Sequence, residues 1–186
     1  MSVLNLKHQL LLAMPGLDDP NFKGSLTYIC EHNEDGAMGI TINRRLTIPM
    51  AEILIQLEIK ASQPSLELQP VYYGGPVEPE RGFVLHTPPG DWEATLKTDA
   101  TVGLSSSRDI LNAIAQGEGP EKFLLALGYS GWAAGQLETE IAQNAWLSCP
   151  AALDILFDLD DEAKLAAAAK QLGVDLSMLS SNAGHA

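Results

Sequence analysis

The stretch Val71-Tyr-Tyr-Gly-Gly-Pro-Val-Glu-Pro-Glu-Arg-Gly-Phe-Val-Leu-His86 reads as a strand, a double glycine, a stiff acidic loop and a second strand ending in histidine. A phosphate-gripping loop needs serial backbone N–H donors opening onto a helix. Here Pro76 removes a donor and a strand follows, so both common nucleotide fingerprints are excluded. Gly74 and Gly75 permit a turn or a close approach of the backbone, Pro76 and Pro79 stiffen the loop, and Arg81 offers a bidentate cation to a carboxylate or phosphate. On the plain reading this is a stiff hairpin whose Arg81 pairs with Glu78 or Glu80. On the functional one it is a wall of a site for a small or anionic ligand.

The rest of the chain repeats this pattern of short strands. Gln9 to Met14 is an apolar run ended by Pro15-Gly16 and predicts a buried strand. Ser25 to His32 alternates, with Leu26, Tyr28, Cys30 and His32 on one face and Thr27, Ile29 and Glu31 on the other. Asn33 to Gly36 supplies a turn, and Ala37 to Asn43 returns as a hairpin partner with a bulky Met38/Ile40/Ile42 face. Its Ala37/Gly39/Thr41/Asn43 face is small, which calls for close packing by a helix or a ligand. Glu93 to Thr98, Thr101 to Ser105, Phe123 to Leu127 and Ala145 to Cys149 also read as strands. Helices are predicted after Pro49, after Ser106 or Ser107, over Gly135 to Gln143, and from about Ala151 and Asp161. Interspersed helices without a regular βαβ alternation predict an α+β fold: one compact domain over residues 1–186, a mixed and strongly curved sheet, and a frayed tail at 180–186.

Composition narrows the function. At 186 residues one core is the default. A formal charge of −13 with no cluster of Lys or Arg opposes direct contact with nucleic acid. Cys30 and Cys149 lie in apolar surroundings without metal or redox spacing and read as buried thiols of a reducing compartment. The N-terminal apolar run is too short to span a membrane. The expectation is a soluble cytoplasmic protein with no membrane contact, metal or cofactor.

Several residues carry candidate chemistry. His32 and His86 each end a strand, where an imidazole could serve as acid, base or ligand or simply as a hydrogen-bonded structural group. Gly128-Tyr-Ser130-Gly-Trp132 approaches a nucleophile elbow but has its second glycine one position early, so a tight turn after a buried strand is the better reading. Glu138 and Glu140 follow a glycine-flanked Trp132 in a first helical turn, where acidic residues complement the helix dipole and also offer carboxylates to a site. Ala166 to Leu179 has the spacing of a helix-turn-helix, yet the would-be recognition helix, Asp175 to Asn182, contains no cation for phosphates or bases.

The segments AMPGLDDPNFKGSLTYICEHNEDGAMGITINRR, YYGGPVEPERGFVLH, SSSRDIL and GYSGWAAGQLETEIAQNAWL, in this order and spacing, resemble the YqgE/AlgH family of bacterial proteins. The resemblance implies a compact α+β fold with a small closed barrel-like sheet surrounded by helices. It implies no catalytic mechanism. Some members bear a transcriptional-regulator label, and the gene often neighbours one for a Holliday-junction-resolvase-like protein. His32, Asn43, Gly74, Gly75, Arg81, His86, Trp132, Glu138 and Glu140 match recurrent positions of the family. Ser130 stands where members commonly have Ala, and Arg45 where they have Pro.

Three functions follow in order. The first is a non-catalytic binding protein with a regulatory role, its ligand a small or anionic molecule or a protein partner. Arg81 would hold an anionic group, His32, Asn43 and His86 would give hydrogen bonds, and Trp132 an aromatic wall. The second is a hydrolase in which Glu138 or Glu140 orients His32 or His86. The third is a transcriptional regulator acting without strong direct DNA contact.

Overall fold

The computed structural model describes residues 4–17, 19–20 and 22–175. It is a single α+β domain in which a strongly curled, almost wholly antiparallel sheet forms a half-barrel. The strands are β1 (Gln9–Ala13), β2 (Leu26–Asn33), β3 (Gly36–Thr41), β4 (Arg45–Pro49), β5 (Pro70–Tyr73), β6 (Val77–Thr87), β7 (Thr95–Lys97), β8 (Gly103–Ser105), β9 (Lys122–Ala133) and β10 (Trp146–Pro150). The helices are α1 (Met50–Gln56), α2 (Arg108–Ala115), α3 (Gln136–Ala142) and α4 (Asp161–Gln171), with a 3-10 turn at Pro64–Glu67 and a π turn at Asp154–Asp158. Strand order is β10-β1-β2-β3-β9-β6-β8-β7, with β5 joining β9 from the side and β4 paired to β5.

Period-2 alternation on these strands sorts apolar side chains to two faces. One face of nearly every strand, from Leu10 and Tyr28 to Phe83, Leu104 and Cys149, meets in the concave core, which α4 and the π turn plug with Ile155, Leu156, Ala168 and Ala169. The convex face carries two further clusters. Val71, Val84 and Leu125 lie under α1 and α2, and Ile29, Trp132 and Trp146 lie under α3. Cys30 and Cys149 are buried free thiols whose pKa values burial pushes up, that of Cys149 to about 11. Among the described residues no helix is long and apolar enough to cross a membrane.

β9 organises the fold, and it departs from the sequence reading. The segment Gly128 to Trp132, expected to be a tight turn, continues as strand through Ala133. The first half of β9 lies between β6 and β5, and its second half pairs with β3. The strands of the Val71–His86 stretch are therefore not partners in a hairpin, because β9 runs between them, parallel to β5 and antiparallel to β6. The supposed loop Val77 to Arg81 belongs to β6.

The double glycine marks a crossing of two backbones. A Cβ on Gly74 would collide with the Gly128 carbonyl, one on Gly75 with the Tyr129 carbonyl, and one on Gly128, at φ +77°, with the Gly75 carbonyl. Only glycine permits that approach. A β-bulge corrects a second expectation. Ile29 faces Gly39 and Glu31 faces Met38, which leaves Cys30 unmatched and reverses the alternation beyond it. His32 consequently leaves the Leu26/Tyr28/Cys30 face and joins the Ile29 side. Opposite, the small face of β3 is filled by its neighbours: a Cβ on Gly39 would meet Thr27 Cγ2 at 2.7 Å.

Ser107 sits at the N-cap of α2 without capping it, since its hydroxyl bonds Asp109 and accepts from the Ala94 N–H. The would-be recognition helix lies, beyond Asp175, outside the described residues, as does the tail at 180–186.

Candidate functional site

The nine residues singled out in the sequence occupy separate places. His32, Trp132, Glu138 and Glu140 gather where α3 meets the ends of β2 and β9. The Leu6 N–H donates to His32 Nδ1 at 2.9 Å, so that nitrogen is an acceptor, and Nε2 donates to Glu138 Oε1 at 2.6 Å. The expected carboxylate–histidine pair therefore exists, but both ring nitrogens are committed and the residue is only 5% exposed. Its geometry is that of a pin between the N-terminal segment and α3. The Glu138 carboxyl is held below its usual range by its own backbone N–H, against the opposing effect of burial, with His32 adding to the lowering. Glu140 accepts from Trp146 Nε1 at 3.2 Å. Trp132 is core, stacked with Phe22 at 6.1 Å and edge-on to Trp146 at 6.0 Å.

Asn43 is engaged at both ends of its amide. Its Oδ1 accepts from the Leu26 N–H and its Nδ2 donates to the Gly24 carbonyl. His86 is elsewhere again. Its Nε2 lies 2.7 Å from Ser105 Oγ, and its Nδ1 donates to the Pro88 carbonyl at 2.9 Å. Serine, imidazole and an orienting acceptor form the order of a nucleophile relay. Both side chains are completely buried, however, and burial pushes the imidazole pKa down. No reactant reaches them in this arrangement. Ser130 is likewise buried in mid-strand, its hydroxyl without a hydrogen-bond partner.

Arg81 is the one of the nine that borders an open basin. Where the α4 plug does not reach, the concave face of the half-barrel opens as a basin of about 530 Å³. Its apolar lining is Met38 from β3, Phe83 from β6, Leu96 from β7, Leu104 from β8 and Tyr129 from β9, with Glu78, Arg81 and Ser106 among the polar residues around it. The Arg81 guanidinium lies 5.1 Å from the centre of the Phe83 ring, 3.3 Å from Glu78 Oε2 and 3.3 Å from Ser106 Oγ. A smaller hollow of about 360 Å³ lies on the other side of β6 between α1 and α2, bordered by Arg108 and Glu80 and sharing Arg81 and Ser106 with the basin. An apolar floor with one partly desolvated cation at its rim suits a ligand with an apolar body and a single anionic group.

Sequence reasoning found Arg81 but not the floor. Met38, Phe83, Leu96 and Leu104 are apolar positions on strands legible in the sequence, whereas Tyr129 falls in the segment expected to be a turn. What brings them together is the curl of five strands, which no local pattern encodes. It also missed Lys164, which is 2% exposed, donates to the Ile42 carbonyl at 2.8 Å, pairs with Asp161 at 3.1 Å and lies 4.6 Å from the Tyr72 ring centre. Asp161 also accepts from Tyr72 Oη at 2.6 Å and pairs with Arg45, the residue that stands where the resemblance expects proline. The signal available for it was the Asp161/Lys164 spacing of i, i+3 on a helix.

Comparison with known proteins agrees with the fold. Residues 10–177 match the family model described as DUF179, AlgH-like. The UPF0301 protein Tgr7_2910 of Thioalkalivibrio sulfidiphilus is 54% identical over 182 residues, 98% of this chain and 97% of its own. A UPF0301 protein of Thiobacillus denitrificans is 50% identical over the full length of both chains. The solution structure of the AlgH protein from Pseudomonas aeruginosa superposes with a TM-score of 0.81 at 51% identity, covering 100% of this chain and 98% of that one. The crystal structure of DIP2367 from Corynebacterium diphtheriae shares the fold at 17% identity, with a TM-score of 0.74 over 97% of this chain and 94% of that one.

Proposed function

The chain belongs to the AlgH-like family, and for this member we propose a non-catalytic role: reversible binding of a small anion with an apolar body in the basin of the half-barrel, the bound state carrying a regulatory signal. The observation that supports this reading is the position of Arg81. Its guanidinium stands at the edge of an apolar hollow of about 530 Å³, within the roughly 300–1,000 Å³ typical of small-molecule sites. Binding would seat the anionic group on the guanidinium and the body on Phe83, Leu104 and Tyr129. The energy would come from burying apolar area at about 25 cal/mol per Å² together with the charge-assisted bond to Arg81, which also fixes orientation.

The test is a ¹H–¹⁵N shift map of the protein against pools of carboxylates, nucleotides and sugar phosphates. Binding in the basin moves the amides of Glu78, Glu80 to Phe83, Ala94 to Leu96, Leu104 to Ser106 and Tyr129 together, and Arg81→Ala abolishes the response. If every pool leaves these amides in place, or if they respond unchanged in Arg81→Ala, the reading fails.

A further inference from the structure

Glu78 is placed oddly for a residue in a strand. Its φ is +47°, and it immediately precedes Pro79, whose ring drives the preceding residue toward extended backbone. The strained residue sits inside the irregular part of β6. Between the Val77–Tyr129 and Gly82–Leu127 pairs, β6 advances five residues while β9 advances two. The resulting bulge sends Glu78 and Arg81 to the basin, while Glu80 borders the hollow on the other face.

What the bulge achieves is a carboxylate laid against a guanidinium. Glu78 Oε2 meets Arg81 Nη1 at 3.3 Å, a single contact rather than the two parallel bonds that a carboxylate and a guanidinium can form. Both side chains are about half exposed, at 46% and 50%, so the pair is weak. The guanidinium itself is otherwise well placed, over Phe83 and beside Ser106. A strong cation site is thus occupied by a poor anion supplied by the protein's own chain.

We propose that Glu78 is an internal stand-in for the ligand's anionic group, and that the ligand is a monocarboxylate with an aliphatic or aromatic body that displaces Glu78 from Arg81 on entering the basin. This rests on the preceding reading of the basin as a binding site. The class follows from charge. Among the described residues lining the basin Arg81 is the sole cation, Glu78 remains nearby after displacement, and the chain as a whole carries −13. A phosphate dianion would face this field with one guanidinium, whereas a carboxylate matches that guanidinium's fork one to one. Glu78 then raises the ligand concentration needed for occupancy, and its release on binding is the local change that a partner could read.

The experiment uses 8-anilino-1-naphthalenesulfonate, an aromatic monoanion whose fluorescence reports apolar sites, displaced by decanoate from the wild type and from Glu78→Gln, Glu80→Gln and Arg81→Gln, with amide spectra confirming that each variant is folded. Glu78→Gln should tighten decanoate by about two- to five-fold, the worth of an exposed ion pair. Glu80→Gln, which removes the same charge from the other face, should leave affinity within about 1.5-fold, and Arg81→Gln should lose it at least ten-fold. If Glu78→Gln binds no tighter while Arg81→Gln loses binding, the stand-in is refuted and the basin reading survives. Equal tightening in Glu78→Gln and Glu80→Gln also refutes it, since the effect is then general charge. If decanoate displaces nothing from the wild type, or binds Arg81→Gln as tightly, the basin reading itself falls.

Discussion

The phenol oxygen of Tyr28 on β2 lies 2.6 Å from the hydroxyl of Thr98, just past β7, so the third and the last strands of the order, five positions apart, meet through one hydrogen bond. Its polarity can be traced. Thr98 donates to the Val102 carbonyl at 3.0 Å, which can only accept, so Tyr28 donates to Thr98. The Tyr28 oxygen lies 2.7 Å from His8 Nδ1, and His8 Nε2 lies 3.0 Å from Asp99 Oδ2, so the chain continues through the ring to the carboxylate, with both nitrogens donating only when the imidazole is charged. The sheet curls without closing its ladder, and this side-chain chain spans the gap. Tyr28→Phe keeps the buried ring and removes the link, leaving polar groups of Thr98 and His8 unmatched. The expected cost is about 1–2 kcal/mol by urea unfolding. A midpoint equal to that of the wild type would mean that packing alone holds the opening.

The same bridge predicts an acid sensitivity. Partial burial works against charge on Asp99, yet the Thr101 N–H and hydroxyl, the His8 ring and the Val102 N–H outweigh it and hold the carboxyl below its usual range. A carboxyl whose folded pKa lies below its unfolded value, about 3.9, stabilises the fold above that value and loses the contribution as pH falls through the folded one. Wild type should therefore be more stable than Asp99→Asn at pH 6, and the difference should shrink below about pH 4. Urea midpoints of the two proteins at several pH values between 3 and 7 give the answer, and a gap independent of pH would remove Asp99's charge from the account.

The backbone crossing makes a sharper structural prediction. Gly75→Ala and Gly128→Ala each place a methyl inside a carbonyl of the opposing strand, and backbone cannot yield as a side chain does. Each should cost more than about 3 kcal/mol or prevent folding. Gly131→Ala, three residues along the same strand from Gly128, meets only the Tyr129 ring at 3.7 Å and should cost less than about 1 kcal/mol. Thermal melts of the three variants decide it, and equal costs at Gly75 and Gly131 would show that the two chains can part.

The local half of this fold was legible in the sequence. An apolar run located β1, alternation located β2 and β3 to within a residue or two, and the Asn33–Gly36 turn joined β2 to β3, while of β6 only the part ending at His86 was legible as strand. The errors share one cause, which is pairing at long range. Nothing near Val71 or His86 reveals that β9 runs between their strands, and nothing near Cys30 reveals that β3 skips it and so inverts His32. The glycines of the Gly128–Trp132 segment suggest a turn, whereas the crossing at Gly75 places Gly128 at positive φ inside a continuous strand. The candidate site fared similarly. Arg81 declared itself by chemistry, whereas the five apolar side chains beside it became a basin only through curvature.

The buried Lys164 tests how α4 is held in the half-barrel. Its ammonium has the Ile42 carbonyl, Asp161 and the Tyr72 ring as partners, and burial pushes its pKa down, with Asp161 opposing. Lys164→Met preserves length and apolar contact but strands the Ile42 carbonyl and leaves Asp161 to Arg45 and Tyr72. At pH 7 it should cost about 1–3 kcal/mol. The sign of the alkaline dependence follows from linkage. A lysine whose folded pKa lies below its unfolded value, about 10.4, binds fewer protons when folded over that interval, so raising the pH favours the native state. Measured against Lys164→Met, wild type should gain stability as pH rises from 7 toward 10. A relative stability that falls across this range would show that Asp161 and the Ile42 carbonyl hold the ammonium more strongly than burial expels it.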